Sequence, residues 1–242
     1  MTTRFELAPI RTDLVPLRDR GLDWVDPHAF RFKVPTEARE LILVHEACAS
    51  ADECKALVDI YVKHHQQSPN QLTNVYRSPV LWSSALLDHG YRAEWRQIQR
   101  LKARIIAAAK IAFHLDELYV EADVINRMLP GEVHIEHSDN SDYLCATHGD
   151  HRWVDGDCAQ GTWVPMSERW FRDISAVLYL NDDFEGGSLR FEQYDYELQP
   201  RRGMVTVFPS NRTFLHHVTP VTSGVRYAMP LWLTRDWEHQ NP

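Results

Sequence analysis

The sequence predicts an α+β fold that is mainly β: a double-stranded β-helix, or jelly roll, backed by N-terminal helices. Three observations carry this. Two stretches before residue 118 have apolar residues at helical spacing. After residue 118 the pattern switches to short apolar runs of strand length. Turn signals, "LPGE", "DDFEGG", "PRRG", "PSN" and "TSG", separate those runs.

Residues 1–40 are mixed and contain prolines, and are expected to form an arm over the body. "VHEACASADECKALVDIYVKHHQQ" predicts a helix. Ser50 and Glu53 have the spacing of a capping box, and Cys54, Leu57, Val58, Tyr61 and Val62 make an apolar stripe. "YRAEWRQIQRLKARIIAAAKIAFHL" predicts a longer helix, with Trp95, Ile98, Leu101, Ile105 and Ala109 on one face. Strands are expected near 120–128, 133–137, 174–181, 187–192, 195–199, 203–208, 213–218 and 225–233. Eight short strands after a helical layer suggest a jelly roll. "DDFEGG" reads mainly as a turn. Residues 141–172 read as a long polar insertion, and connections of that length in a compact domain are usually lids or binding loops. One domain spans 1–242, with arm and supporting helices at 1–118 and the core at 119–236.

The net charge of −8 argues against a nucleic-acid partner. No window approaches the 18 apolar residues of a membrane span. No secretory signal is visible at the start. The 4 cysteines are too few for a disulfide framework at this length, so a reducing cytoplasm is expected.

"HIEHSDN" holds the first chemical pattern. His137 and Asp139, two apart on a strand end, point to the same face. A third ligand must come from a distant strand, and His216 is the candidate, on a strand placed opposite across the barrel mouth. Two imidazoles and a carboxylate leave positions of an octahedral ion open, the facial triad of non-haem Fe(II) oxygenases. Zinc would also accept these ligands. Arg226 starts the apolar run "VRYAMPLWL", and an inward guanidinium there needs a carboxylate partner. The distal carboxylate of 2-oxoglutarate would serve, with the Tyr179 hydroxyl as a second donor.

"FRDISAVLYLNDDFEGGSLRFE", "RRGMVTVFPSN" and "LHHVTPVTSGVRYAMPLWLT" resemble the catalytic domain of the prolyl hydroxylase group of Fe(II)/2-oxoglutarate dioxygenases, in its prolyl 3-hydroxylase branch. The resemblance covers about residues 120–234. It implies His137, Asp139 and His216 as iron ligands and Arg226 as the 2-oxoglutarate anchor. Within "HHVTP" it selects His216, with His217 pointing away. Met128 stands where many relatives carry a tyrosine before the "PG" turn. The implied cofactors are Fe(II), 2-oxoglutarate and O2, with ascorbate as a stimulating reductant. The implied activity is hydroxylation of an unactivated C–H bond in an amino-acid side chain, free or peptidyl and proline-like first, with release of succinate and CO2. Asp139 in the ligand set favours hydroxylation over halogenation. The alternatives are a non-catalytic metal- or ligand-binding sensor, and an oxygenase acting on another small molecule.

Other clusters are open to two readings. Cys145, His148, His151 and Cys158 would suit a zinc clip or simply a polar loop, since their spacings are not standard for zinc. Arg77 in "TNVYRSPVLW" would bind a substrate carboxylate or lie solvated. His134 and Asn140 are candidate substrate contacts or pocket-wall residues. Tyr143, His148, His151, Trp153, Trp163 and Trp170 would make the insertion a lid over the substrate.

Overall fold

The computed structural model describes residues 41–67, 79–145, 161–165 and 169–240. Arg77, His148, His151, Trp153, Cys158 and the expected arm at 1–40 lie outside them. The side chains of Tyr143, Cys145 and Trp163 do as well.

The chain runs β1 (Leu43–His45), α1 (Ala51–Gln67), β2 (Val80–Trp82), α2 (Ala85–Asp88), α3 (Arg92–Ala112), β3 (Tyr119–Met128) and β4 (His134–His137). It continues with β5 (Ser141–Cys145), β6 (Gly161–Pro165), β7 (Ile174–Tyr179), β8 (Phe184–Gly186), β9 (Leu189–Phe191) and β10 (Tyr196–Leu198). It closes with β11 (Val205–Pro209), β12 (His216–Val218), β13 (Val221–Gly224) and β14 (Arg226–Thr234). A 6-stranded sheet has the order β1-β11-β7-β14-β3-β2, and a 4-stranded sheet has β10-β9-β12-β4. Every pairing in both is antiparallel. Two antiparallel sheets enclosing an apolar layer are consistent with a jelly-roll core. Among the described residues no helix is long and apolar enough to cross a membrane.

The capping box forms as spaced. Ser50 N–H donates to Glu53 Oε2 at 2.9 Å, and Glu53 N–H donates to Ser50 Oγ at 3.2 Å. The free oxygen of Glu53 pairs with Arg104, which ties α1 to α3. Cys54, Leu57 and Tyr61 of α1 and Ile98, Leu101, Ile105 and Ala109 of α3 are buried in one cluster with Leu178, Val207 and Leu231 of the large sheet.

The period-2 alternation of strands sorts the large sheet into two faces. Ala176 and Leu178 of β7, Val205 and Val207 of β11, and Met229 and Leu231 of β14 join the helical cluster. The alternate positions face the small sheet. There Met128 and Phe208 meet Leu189, Phe191, Phe214 and Val218 in a second cluster. Ser175, Tyr179, Thr206 and Arg226 share that second face, so polar groups enter the space between the sheets.

Four expectations need correction. "DDFEGG" is more than a turn: β8 within it pairs with β13. The insertion at 141–172 is not an open loop where described, because β5 and β6 pair as an antiparallel ladder from Ser141↔Pro165 to Cys145↔Gly161. Alternating β-formers in "SDYLC" and "GTWVP" favour that pairing. Short strands β1 and β2, on the two edges of the large sheet, were too brief to announce themselves. The strand of His216 does not lie across the barrel from that of His137; the two are hydrogen-bonded neighbours.

Candidate metal centre

In the β4–β12 ladder His216 stands directly opposite His137. Directly paired residues hold their Cβ atoms roughly 4.5–5.5 Å apart, close enough for two imidazoles to share one ion. The ring centroids are 4.3 Å apart. Asp139 follows β4 in a bend that its neighbours fix: its N–H donates to Ser210 O at 3.1 Å, and Ser138 Oγ donates to the same carbonyl at 2.9 Å. His137 Nε2 lies 3.8 Å from Asp139 Oδ1, and His216 Nε2 lies 3.6 Å from Oδ2. One ligand atom from each residue falls within 4.8 Å of the others. No other group of three or more such side chains is found among the described residues.

Both imidazoles carry a fixed tautomer. His137 Nδ1 lies 2.8 Å from Ile135 O, and His216 Nδ1 lies 2.9 Å from Phe214 O. A carbonyl only accepts, so the proton sits on Nδ1 in each ring and the Nε2 lone pair faces the centre. This is how proteins orient metal-ligating histidines. Burial, then His137, pushes His216 down to about 4, so it stays neutral near pH 7. Burial alone would raise Asp139, but His216, His137, the Ser175 hydroxyl and Arg172 hold it down at about 2. The neutral imidazole of His216, the imidazole of His137 and one ionised carboxylate form a donor set suited to a borderline divalent ion such as Fe(II) or zinc.

His217 faces the other side of the ladder, with Nε2 3.1 Å from Glu192 Oε1. Phe208 and Phe191 pack their rings against His216 at 4.7 and 5.7 Å between centroids. They make an apolar wall beside the ligand.

Arg226 pairs across β3 with Met128 and is 2% exposed. Its Nε donates to Gly187 O at 3.0 Å, and its Nη1 lies 3.7 Å from Met128 Sδ. Among the described residues no carboxylate lies within ion-pair distance of it. Burial pushes its pKa down, with Tyr179 opposing. The guanidinium carbon lies 5.3 Å from the Tyr179 ring centre. The Tyr179 hydroxyl and Thr206 Oγ1 are buried without a hydrogen bond of good geometry. A buried cation without a counter-ion, beside an unsatisfied hydroxyl, is a fitting cradle for a ligand carboxylate. Gly187 is required there. Its φ is +63°, and a Cβ would lie 2.8 Å from Arg226 Cδ.

His134 feels both Arg226 and the histidine pair: burial lowers its pKa to about 3, with contributions from Arg226, His137 and His216. Asn140 turns aside, and its Nδ2 donates to Arg172 O at 2.8 Å. Arg172, Ser175 and Ser210, which surround Asp139, escaped the sequence reading. A lone serine inside the apolar strand "ISAVLY" was the available signal for Ser175.

Residues 124–234 match the sequence pattern of the 2OG-Fe(II) oxygenase superfamily. Prolyl 3-hydroxylase 1 of Gallus gallus is 46% identical over 74 residues, which are 28% of this chain and 10% of that protein. The chain therefore spans about a tenth of the length of the curated relatives it matches. The viral collagen prolyl hydroxylase of Paramecium Bursaria Chlorella virus-1, solved as a 2OG complex, superposes with a TM-score of 0.54 at 19% identity, covering 81% of this chain and 96% of the other. A Trichoplax adhaerens prolyl hydroxylase, solved with a hypoxia inducible factor peptide, gives a TM-score of 0.53 at 13% identity over 82% of this chain and 86% of the other. The two structures share the fold. Residues 124–234 thus carry the pattern of the 2OG-Fe(II) oxygenase superfamily, and the matches to prolyl 3-hydroxylases support a 2OG-Fe(II) oxygenase of the prolyl hydroxylase group, a family whose cofactors are Fe(II), 2-oxoglutarate and O2.

Proposed function

We propose that this protein hydroxylates an unactivated C–H bond of an amino-acid side chain, proline-like first and carried in a peptide, with conversion of 2-oxoglutarate to succinate and CO2. The observation that carries this is the pairing of the His137, Asp139 and His216 cluster with a buried Arg226 that has no carboxylate partner among the described residues, the two features linked by His134, which feels the charges of both. A lone metal site would not need the second feature.

Iron bound with 2-oxoglutarate and O2 supplies the oxidation. The chain does the rest. His137 and His216 present Nε2 lone pairs because Ile135 O and Phe214 O hold their Nδ1 protons. Asp139 supplies the single negative charge. Arg226 and the Tyr179 hydroxyl bind the distal carboxylate of the cosubstrate, orienting it lengthwise between the sheets. Phe191 and Phe208 keep water from the His216 side. Half-buried His137 marks the open side, from which the substrate side chain enters. The neutral ring of His134 serves as a wall that adds no charge beside Arg226.

The wider reading takes 1–242 as a single domain in which α1 and α3 back the large sheet. It includes a reducing, cytoplasmic setting, and the buried free thiols of Cys48 and Cys54 support it. The test is succinate release with Fe(II), scored against proline-rich peptides, free amino acids and unrelated small molecules. Peptide-stimulated succinate matched by hydroxylated product supports the proposal. Binding of metal and 2-oxoglutarate without turnover on any substrate favours a sensor instead.

A further inference from the structure

Asp139 is held by one oxygen only. Its Oδ2 accepts the Ser175 hydroxyl at 2.6 Å. Its Oδ1 accepts no hydrogen bond among the described residues. Ser175 comes from β7 in the large sheet, whereas Asp139 hangs from the end of β4 in the small one, so this bond joins the two layers. Ser175 Oγ also lies 2.7 Å from Ser210 Oγ. The carboxylate can only accept, so Ser175 gives it its proton and must receive one from Ser210. The direction of the chain is fixed: Ser210 to Ser175 to Asp139. Both serines are 2% exposed, and no solvent competes for either hydroxyl. Ser210 is pinned in turn, because its carbonyl takes the Asp139 N–H and the Ser138 hydroxyl.

A carboxylate with two free oxygens can hold a cation through one or both. Resting on the metal centre proposed above, we propose that the Ser210–Ser175 relay is a positioning device that reserves Oδ2. Asp139 then offers Oδ1 alone, and the coordination positions needed by 2-oxoglutarate and O2 stay open. Without the relay the carboxylate swings to use both oxygens. The metal is kept, and a cosubstrate position is lost. A merely structural serine would weaken metal and cosubstrate alike.

The test uses the full chain with Co(II), whose visible absorption reports coordination number, followed by 2-oxoglutarate titration. Loss of an outer partner of a metal ligand typically costs about 10-fold to 100-fold in metal affinity or activity; here the freed second oxygen offsets the loss at the metal, and the cost falls on the cosubstrate. Ser175→Ala is expected to bind Co(II) with near wild-type affinity, to show an altered visible spectrum, and to bind 2-oxoglutarate about tenfold more weakly. Ser175→Thr, which keeps the hydroxyl, is expected to restore both. An Ala variant with wild-type spectrum and 2-oxoglutarate affinity overturns the proposal, and so does equal weakening of Co(II) and 2-oxoglutarate. If Ser175→Ala does not melt cooperatively, Ser210→Ala decides: it leaves the donor and removes its orientation, and wild-type behaviour there overturns the relay. Absence of Co(II) binding by the wild type, or its persistence in His216→Ala, instead overturns the metal centre itself.

Discussion

Arg226→Met separates binding from stability. The guanidinium is 2% exposed and makes one good hydrogen bond, to Gly187 O at 3.0 Å, with no carboxylate among the described residues. Burying an ion costs several kcal/mol even after relaxation. Removing the Gly187 bond costs about 1 kcal/mol, and up to about 3 if the carbonyl stays unsatisfied. Methionine has a similar length and no charge, so relief of the buried charge offsets the lost bond. The apo variant should melt at or a few degrees above the wild type, at roughly 2–4 °C per kcal/mol for a chain of this size. Binding behaves oppositely. A charge-assisted pair with a carboxylate contributes roughly 1.5–3 kcal/mol, or about a 10-fold to 150-fold change in Kd. Thermal melts with Mn(II), which holds the site without turnover, and rising 2-oxoglutarate give both quantities. Wild-type protein should gain stability with ligand, whereas the variant should not until the concentration is at least about tenfold higher. A variant that loses stability but keeps its ligand response would refute the cradle.

Gly187→Ala should act through the same arginine. Alanine at φ +63° with a Cβ 2.8 Å from Arg226 Cδ pays backbone strain and overpacking, together roughly 2–4 kcal/mol. Circular dichroism melting should show a loss of roughly 4–16 °C, and calorimetry a weaker 2-oxoglutarate Kd; an unchanged Kd would mean the contact is incidental. Lys102→Met should break the buried Lys102–Asp123 pair, whose atoms lie 2.6 Å apart. Leaving that buried carboxylate without its cation, with the Ser83 hydroxyl as its remaining donor, typically costs about 3–5 kcal/mol. Denaturant melts should record that loss, Lys102→Met with Asp123→Leu should recover most of it, and 2-oxoglutarate affinity should stay at the wild-type value in both.

The two long helices were legible because each writes its period many times: Cys54, Leu57 and Tyr61 on one, Ile98, Leu101 and Ile105 on the other. The capping box at Ser50 and Glu53 is likewise local and needs no tertiary context. The strands of 3 residues at Leu43–His45, Val80–Trp82 and Phe184–Gly186 are too short to show alternation, and pairing rather than propensity makes them strands. His137, Asp139 and His216 could be named from type and spacing. Their arrangement could not, because cross-strand register is set by the whole sheet. Ser210, Arg172 and Gly187 were invisible for the same reason, and Ser175 showed only as a lone serine in an apolar strand: each matters through a partner distant in sequence.

The central claim is that one divalent ion sits between His137, Asp139 and His216 and accepts 2-oxoglutarate. Anaerobic Fe(II) and 2-oxoglutarate titration, followed by the visible metal-to-ligand charge-transfer band, tests it most directly. One such complex per chain is expected, retained in His217→Ala and lost in His216→Ala although that variant still melts cooperatively. A band retained in His216→Ala and lost in His217→Ala would contradict it.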